Sequence, residues 1–538
     1  MNKYRNILLV VIMALTSSCL NEDLKDQLYE DDIYNNVSNI YINAVAVLYN
    51  YIGGSADSEG LQGTCRGIYD YNTLTTDEAM IPIRGGDWYD GGLWENMYLH
   101  KWSADDLPLY NTWKYLYKVV VLTNKSLAVI DTYGHHLTME EKTAYQAEIR
   151  AIRALFYYYI MDMYGSVPLV TSYATSQEQV VQSKRSEVFR FIIKELQEVA
   201  PLLSDAPSNK MGAYYGRVTS PVVHFLLAKL ALNAEIYSDD NWTDGNKPDG
   251  KAIFFEIDGK QLNAWETCIH YCDKLAQAGY QLEKDYAYNF TVHNENSSEN
   301  IFTIPLDKNL YAAQFHYLFR SRHYNHGGAL GGASENGTSA TVSTVMASGY
   351  GTDVVDARFS MNFYVGQVMV DGKYVMMDNG KPLEYMPFEL KLNLTGSPYV
   401  KTAGARMAKY EVDRTSHSDG RQPDNDIVLF RYADALLMKA EAKVRNGQDG
   451  SDELNEVRGR VGMPFLEATL DNILKERLLE LVWEGWRRQD LIRFGMFHQS
   501  YDQRSQLPNE ASGYTTVFPI PQKSIDLNPR LKQNLGYK

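Results

Sequence analysis

The sequence predicts a mostly α-helical protein whose helices are interrupted by one glycine- and aromatic-rich excursion. Three observations predict this: apolar residues recur at helical spacing, capping residues flank several of these segments, and the spacing fades between about 286 and 424. With 538 residues and 45% hydrophobic content, the chain can bury a large core. The periodic segments are 36–52, 107–131, 139–163, 186–203, 220–237, 263–278, 426–445 and 470–494.

The ends of these predicted helices carry capping signals. Thr138 and Glu141 form a capping box, in which each side chain satisfies a free backbone N–H of the first turn. Ser220 precedes Pro221, which suits the first helical position because its missing N–H costs nothing there. Short turns between successive helices predict helical hairpins. Glycines mark the expected helix ends at Gly53–Gly54, Gly165, Gly279, Gly447 and Gly495.

The excursion has a different composition. Residues 323–351 read HYNHGGALGGASENGTSATVSTVMASGYG, which is rich in glycine, serine and asparagine. A long segment without regular periodicity inside a globular chain is usually functional, so we expect a few short strands and loops that contribute to a binding face. A variable solvated insertion without ligand contact is the alternative.

Net charge and cysteine content restrict the partners. The formal net charge of −15 disfavours nucleic acid, since no basic run offsets it. Cys268 and Cys272 lie one helical turn apart, but no second ligand pair at zinc-site spacing accompanies them. We therefore expect neither a zinc site nor a disulfide scaffold.

The N-terminus has the features of a lipoprotein signal peptide. Lys3 and Arg5 precede an apolar run from Ile7 to Leu15, and small residues then lead to Cys19. We predict cleavage of residues 1–18 and acylation of Cys19, followed by an acylated tether at 19–35. Several acyl chains would give a stable membrane anchor. The alternative is an ordinary secreted protein with a chance cysteine.

Four segments in the C-terminal part occur in a fixed order that is typical of one known family. They read LFRYADALLMKAEAKVRNG (429–447), LNEVRGRVGMP (454–464), ILKERLLELVWEGWRRQDLIRFG (473–495) and VFPIPQKSIDLNPRLKQNLGY (517–537). Two earlier helices, RAIRALFYYYIMDMYGSVPLV (150–170) and RVTSPVVHFLLAKLALNAEIY (217–237), match as well. On these motifs the chain resembles the SusD/RagB family of outer-membrane nutrient-binding lipoproteins.

The resemblance implies a specific architecture and role. It implies a tetratricopeptide-like scaffold of helical hairpins, divided into helical regions at 36–285 and 425–538 with the irregular ligand-binding excursion at 286–424. It also implies a lipid-anchored protein on the outer face of the outer membrane, which captures an oligo- or polysaccharide and delivers it to a SusC-like TonB-dependent transporter. Peptide cargo is an alternative within the family. No cofactor is implied.

Catalytic motifs are missing from the sequence: it has no phosphate-binding glycine loop, no two-histidine zinc helix and no nucleophile elbow. A glycosidase or esterase is therefore the least favoured reading. The charged cluster at 480–490 has the one-turn spacings of intrahelical salt bridges and is interpreted as structural. Residues 239–250 resemble a calcium loop only superficially, because no glutamate occupies its last position, so calcium stays unsupported.

The segment 75–94, TTDEAMIPIRGGDWYDGGLW, is the main candidate for ligand binding. Flat aromatic rings stack on the C–H faces of sugars, while carboxylates and arginine exchange hydrogen bonds with sugar hydroxyls. Trp88 is the expected platform, and replacing it by alanine should weaken glycan binding while leaving thermal stability nearly unchanged. The alternative is that Trp88 and Trp94 are buried anchors, which we favour for Trp94. The expected polar partners are Asp77, Arg84, Asp87, Tyr89 and Asp90.

A second side of the site is expected from the excursion. Its polar and aromatic candidates are Tyr288, Tyr311, Arg320, Arg322 and Tyr324. Arg406 and Lys409 are interpreted as structural.

Overall fold

The computed structural model describes residues 30–54, 56–310, 320–418 and 423–537. The predicted signal peptide, Cys19 and Tyr311 lie outside these ranges. Helices dominate the described chain, and the α-helices are α1 (Glu30–Ile33), α2 (Val37–Ile40), α3 (Val47–Gly53), α4 (Ile68–Thr73), α5 (Leu93–Tyr98), α6 (Leu107–Tyr133), α7 (Met139–Tyr164), α8 (Arg185–Val199), α9 (Ser220–Leu232), α10 (Ala234–Tyr237), α11 (Ala264–Gln277), α12 (Tyr324–Ala329), α13 (Val342–Ala347), α14 (Phe359–Asn362), α15 (Tyr432–Arg445), α16 (Ser451–Arg460), α17 (Leu470–Leu481), α18 (Arg487–Arg493) and α19 (Gln522–Leu527).

The strands are short and pair antiparallel, in two-stranded ladders throughout the described residues. They are β1 (Ala79–Met80), β2 (Val167–Pro168), β3 (Gln182–Ser183), β4 (Phe254–Ile257), β5 (Lys260–Asn263), β6 (Asn300–Ile304), β7 (Ser339–Ala340), β8 (Phe363–Tyr364), β9 (Gly366–Gln367), β10 (Met369–Val370), β11 (Lys373–Tyr374), β12 (Glu384–Tyr385), β13 (Arg406–Met407) and β14 (Ile427–Arg431). Most of them fall inside 286–424, so the predicted excursion with a few short strands is confirmed. A π-helical turn at Tyr41–Ala46 separates α2 from α3.

The longest helices, α6 and α7, form a hairpin, since they pack on each other and are joined by residues 134–138. Leu109, Trp113, Leu116 and Val120 follow the helical repeat along α6 and are all buried. The capping box at Thr138 begins α7 as predicted. α8 packs on α7 in turn, α9 packs on α11, and α11 packs on α15. The helical-hairpin scaffold predicted from the sequence is therefore confirmed.

Helix ends follow the predicted glycines, with one corrected start. Gly165 ends α7 with a positive φ of 69°, and its N–H donates to Met161 O. Ser220 before Pro221 predicted Ser220 as the N-cap of α9, and this is wrong. Thr219 occupies the N-cap, and Ser220 is already helical. The reason is that the helix begins one residue earlier than the Ser–Pro pair indicates.

Two predicted helices are only partly helical. The segment 426–445 begins as the strand β14, whose five residues are all buried and pair with β6 at Ile427–Ile304 and Val428–Thr303. A short buried apolar run has no distinguishing period, so the sequence could not separate strand from helix here. The segment 470–494 is split into α17 and α18, because Trp483 and Gly485 take positive φ values of 69° and 74°.

One hydrophobic core runs through all three predicted regions. It includes Phe225 of α9, Phe302 of β6, Phe430 of β14 and Trp486 before α18. Phe225 and Phe430 stack with ring centroids 4.5 Å apart. None of the helices in the described ranges combines the length and apolar character needed to cross a membrane.

Buried ion pairs tie the C-terminal helices to the rest of the core. Glu480 of α17 accepts from Arg358, Arg431 and Arg460, although it is fully buried. The structural interpretation of the 480–490 cluster is confirmed, but its predicted intrahelical pairing is largely wrong. Arg487 pairs with Asp77, Arg488 with Asp162 and Glu484 with Lys409, and these partners come from other elements of the fold.

Candidate functional site

The loop that follows β1 forms a tight turn carrying the predicted aromatic residues. Arg84 and Asp87 pair through their backbones, with N–O distances of 3.0 and 3.3 Å, around a Gly85–Gly86 turn. Gly85 has a φ of 72°, which favours glycine. Asp87, Trp88 and Tyr89 follow this turn directly.

Trp88 is half-buried, so it is neither a free platform nor a fully buried anchor. Its Nε1 donates to Glu335 O at 3.0 Å, and its ring meets the edge of Trp94 with centroids 6.0 Å apart. A Cβ at Gly337 would lie 2.7 Å from Trp88 Cζ2, so this glycine lets the excursion backbone reach the ring. Trp88 has a φ of 64°, a conformation that is costly for a bulky residue.

The excursion places Tyr324 and Lys401 against Asp87. Tyr324 OH donates to Asp87 Oδ2 at 2.9 Å, and Lys401 Nζ reaches the same oxygen at 2.8 Å. The Lys401 ammonium also lies 5.3 Å from the centroid of the Tyr324 ring. The hydrogen bond from Lys401 holds the pKa of the Asp87 carboxyl below its usual value, and burial with Asp87 nearby raises the pKa of Tyr324 to about 12.

We call the surface formed by the loop residues Asp87, Trp88 and Tyr89, together with Tyr324 and Lys401 that contact Asp87, the Trp88 face. Tyr89 is 56% and Tyr324 40% exposed, so both rings remain partly accessible to solvent. Asp87 and Tyr324 were predicted from separate parts of the chain, and the fold brings them into contact. Lys401 was not predicted, because a single lysine 77 positions beyond Tyr324 carries no signal in sequence.

Below the Trp88 face lies a layer of paired charges around Trp94. Trp94 is 1% exposed, which confirms it as a buried anchor. The guanidiniums of Arg66 and Arg320 each lie 5.4 Å from the Trp94 ring centroid. Arg320 is buried and pairs with Asp70 at 2.6 Å, so it is structural and does not reach a ligand. Asp90 is exposed, but its Oδ2 accepts from Trp94 Nε1 and Arg66, at 2.8 and 2.9 Å.

Two predicted polar partners prove to be structural. Arg84 is 1% exposed, and its guanidinium donates to Val400 O, Ala403 O and Ser339 Oγ at 2.9–3.0 Å. Asp77 forms a two-point ion pair with Arg487, with both N–O distances at 2.7 Å. The prediction that Arg84 and Asp77 contact a ligand is therefore wrong. Their polar atoms are already used in tertiary contacts that the sequence does not reveal.

The remaining candidates from the excursion lie elsewhere. Arg322 was predicted to contact the ligand, and this is wrong. It is 4% exposed, so its guanidinium does not reach a ligand at the surface. Tyr288 is exposed, but it belongs to the turn Tyr286–Phe290, whose Tyr286 OH bonds Glu480 O and Asn362 Oδ1. The turn therefore packs beside the ion-pair network and not beside the Trp88 face. Arg406 and Lys409 are buried, as expected of structural residues.

Two buried carboxyls have strongly raised pKa values, which in an enzyme can mark a catalytic acid or base. Burial raises the pKa of Glu78 to about 8 and that of Asp426 to about 7. Both residues are 1% exposed, so neither carboxyl faces a substrate. In the part of the chain that the structure describes, no group of three histidine, cysteine, aspartate or glutamate side chains is arranged to hold a metal ion.

Glu78 provides a test of the fold beneath the site. Its Oε1 accepts the Trp483 N–H at 2.8 Å, which glutamine can also do. Since the folded protein keeps this proton up to about pH 8 and the unfolded chain releases it near pH 4.3, stability should fall as pH rises between those values. Between about pH 5 and 6.5, the Glu78→Gln variant should gain about 1–2 kcal/mol relative to wild type, measured by urea unfolding. The exposed Glu467→Gln serves as control, and parallel pH profiles for all three proteins would contradict the prediction.

Two cavities of more than 500 Å³ lie away from the Trp88 face. One, of about 530 Å³, is lined in part by Tyr49, Tyr215 and Arg217. Their polar groups are engaged internally, since Tyr49 and Arg217 bind Glu148 and Tyr215 binds Asp426. The other, of about 520 Å³, is an apolar groove beside α6 and α19. We therefore retain the Trp88 face as the candidate site, because its polar side chains stay accessible.

The fold and this face define a class: a helical-hairpin scaffold that carries an aromatic and polar surface on an irregular excursion. Residues 276–537 match the model of the SusD family, and residues 31–232 match a model described as "Starch-binding associating with outer membrane". These matches cover most of the chain, so the chain belongs to the SusD family.

Individual relatives agree with this assignment. The chain is 26% identical over 529 residues to the starch-binding protein SusD of Bacteroides thetaiotaomicron, a match that covers 90% of this chain and 89% of that protein. Its fold is similar to surface glycan-binding protein A of the same species in complex with laminarihexaose, with a TM-score of 0.69, 20% identity, and 93% and 99% of the two chains covered. A SusD-like carbohydrate-binding protein from Bacteroides fragilis gives a TM-score of 0.71, 19% identity, and coverage of 93% and 100%.

Proposed function

We propose that this protein is a non-catalytic, cell-surface glycan-binding lipoprotein. It captures an oligo- or polysaccharide at the Trp88 face and passes it to a SusC-like TonB-dependent transporter in the outer membrane. Lipid on Cys19 holds it at the membrane.

One observation carries the binding part of this proposal: three segments far apart in sequence converge on a single exposed surface. Tyr89 and Tyr324 offer exposed aromatic rings for the C–H surfaces of sugars, and Trp88 adds a half-buried ring from the same loop as Tyr89. Asp87 and Lys401 offer an acceptor and donors for hydroxyl groups. Trp88 holds its aromatic side chain there at the cost of a left-handed backbone, which is a feature of functional loops.

The names of the relatives support a saccharide ligand. One is a starch-binding protein, and another was solved with a laminarihexaose. The described carboxyls support binding without hydrolysis. The two with the most strongly raised pKa values are sealed in the core, and Asp87 is paired with Lys401 and Tyr324.

Isothermal titration calorimetry of the full chain against polysaccharides, oligosaccharides and a mixed peptide digest tests the proposal. We expect heat on addition of one glycan class and no new reducing ends after overnight incubation. A signal from peptides with silence from all glycans would assign peptide cargo, and product formation would assign an enzyme.

The anchor is tested separately. Replacing Cys19 by alanine should move the protein from the outer-membrane fraction to the soluble fraction, because the acylated side chain is then missing. Cell fractionation and immunoblotting measure this, with Cys65→Ala as the matched control. A Cys19→Ala protein that stays in the membrane fraction would contradict the lipid anchor.

A further inference from the structure

The charges under the Trp88 face are unbalanced. Arg84 and Arg406 are 1% and 0% exposed, and both donate to the same Ser339 Oγ, at 2.9 and 2.8 Å. Within the described residues, the other hydrogen bonds of these two guanidiniums go to backbone carbonyls and not to carboxylates. A buried cation without a counter-ion is costly, and protein interiors normally pair it.

These guanidiniums bind the backbone that carries the exposed ammonium of the face. Arg84 Nη1 donates to Val400 O at 3.0 Å, and Arg406 Nη2 donates to Lys401 O at 3.3 Å. Lys401 itself is 39% exposed at its side chain and gives one of its three N–H donors to Asp87. Two donors of this ammonium therefore remain for a ligand, and the positive charges below reinforce it.

A third arginine adds to the same excess. Arg322, also buried, has no hydrogen-bond partner for Nε and Nη1 within the described residues. Burial lowers the pKa of Arg84, Arg322 and Arg406, and the charge of Arg406 lowers the pKa of Arg84 further. By contrast, Arg66 and Arg320, on the other side of Trp94, are neutralised by Asp57, Asp90 and Asp70.

Negative groups nearby are few. Asp87 is the carboxylate in contact with Lys401, and Asp378 lies at the edge, where it accepts from Asn325 at 3.2 Å. Glu335 is a third carboxylate, close enough to act on Tyr324, and its backbone carbonyl accepts from Trp88 Nε1. In place of these arginines, neutral donors such as glutamine could donate equally well to Ser339 and to the carbonyls of residues 400–403. A negative group bound above these cations would balance their charge.

We infer that the glycan captured at the Trp88 face is acidic, carrying carboxylate or sulfate groups, and that Lys401 binds one of these groups above Arg84 and Arg406. This inference rests on the proposed function and names its ligand class. The net charge of −15 makes the rest of the surface repel such a ligand, so a local positive group is required for capture.

The test compares acidic polysaccharides with their neutralised forms. Polygalacturonate, alginate and chondroitin sulfate are titrated into the full chain beside the methyl-esterified or carboxyl-reduced and desulfated products. We expect binding of at least one acidic form, loss of binding by its neutral partner, and weaker binding as salt increases. Equal or tighter binding of neutral glycans would overturn the inference and leave the proposed function standing. Silence from every glycan would overturn both.

Two exposed variants sharpen the result. Lys401→Met should weaken binding of the acidic glycan by about fivefold. Asp87→Asn removes the competing carboxylate but can still accept from Tyr324, so it should strengthen acidic binding by about two- to fivefold. A neutral ligand would instead lose an acceptor in Asp87→Asn and bind more weakly.

Lys260→Met is the control, because it removes an exposed lysine from the β4–β5 hairpin, which packs on α11. It should leave the affinity unchanged. Weaker binding by Asp87→Asn, or equal losses in Lys401→Met and Lys260→Met, would overturn the assignment of Lys401.

Discussion

Replacing Glu480 by glutamine should destabilise the protein by about 3–5 kcal/mol, the usual effect of removing one partner from a buried ion pair. Glu480 is fully buried, and its Oε2 accepts from Arg358 at 2.7 Å while Oε1 accepts from Arg431 and Arg460. Burial by itself would raise the pKa of this carboxyl, but the three guanidiniums hold its pKa well below the usual value. The variant leaves their charge incompletely balanced inside the core.

Urea unfolding at neutral pH measures this loss, and Asp471→Asn is the control because Asp471 is exposed on the same helix, α17. The pH dependence has a defined sign. Because the folded pKa is depressed, the contribution of Glu480 is fully present above about pH 5 and is lost as the pH falls through the folded pKa. The difference between wild type and variant should therefore shrink in acid. A loss below about 1 kcal/mol at neutral pH would show that neighbouring carboxylates replace Glu480.

The second large effect is expected on binding. Trp88→Ala should weaken glycan binding by about 1–3 kcal/mol, the range of a central aromatic anchor. The sequence alone led us to expect nearly unchanged stability, but the structure revises this. Trp88 packs on Trp94 and bonds Glu335 O, so its removal should also cost about 1–2 kcal/mol of folding free energy.

Calorimetry and thermal unfolding separate the two contributions. Tyr89→Ala should weaken binding with little effect on stability, since Tyr89 is 56% exposed. Tyr173→Ala, which removes an equally exposed ring outside the Trp88 face, should affect neither property. If Trp88→Ala unfolds at a lower temperature but binds glycan normally, Trp88 is a loop anchor and the ring contacts belong to the tyrosines.

The candidate site shows how far sequence reasoning reached. Composition pointed to the segment 75–94 and to the excursion, and Asp87 and Tyr324 from these two parts do meet. It could not distinguish Arg84, which is buried under Val400, from an arginine facing solvent. Arginine serves both roles, and the choice depends on acceptors more than 300 residues away in the chain. Lys401 was missed for the same reason.

Local chemistry determined most of the helices. The period of apolar residues and the capping box at Thr138 act within one or two turns, so α6, α7 and α11 begin and end close to their predicted bounds. The family motifs near the C-terminus are likewise local, and they indicated the helical-hairpin scaffold before any contact was known.

Long-range packing decided the remaining elements of the fold and the candidate site. β14 is a strand because β6 supplies its hydrogen bonds, and the break after α17 exists because Trp483 bonds Glu78 and Asn362. The Trp88 face likewise exists only because the chain folds back, since Tyr324 and Lys401 lie more than 230 residues beyond Asp87 and contact its carboxylate.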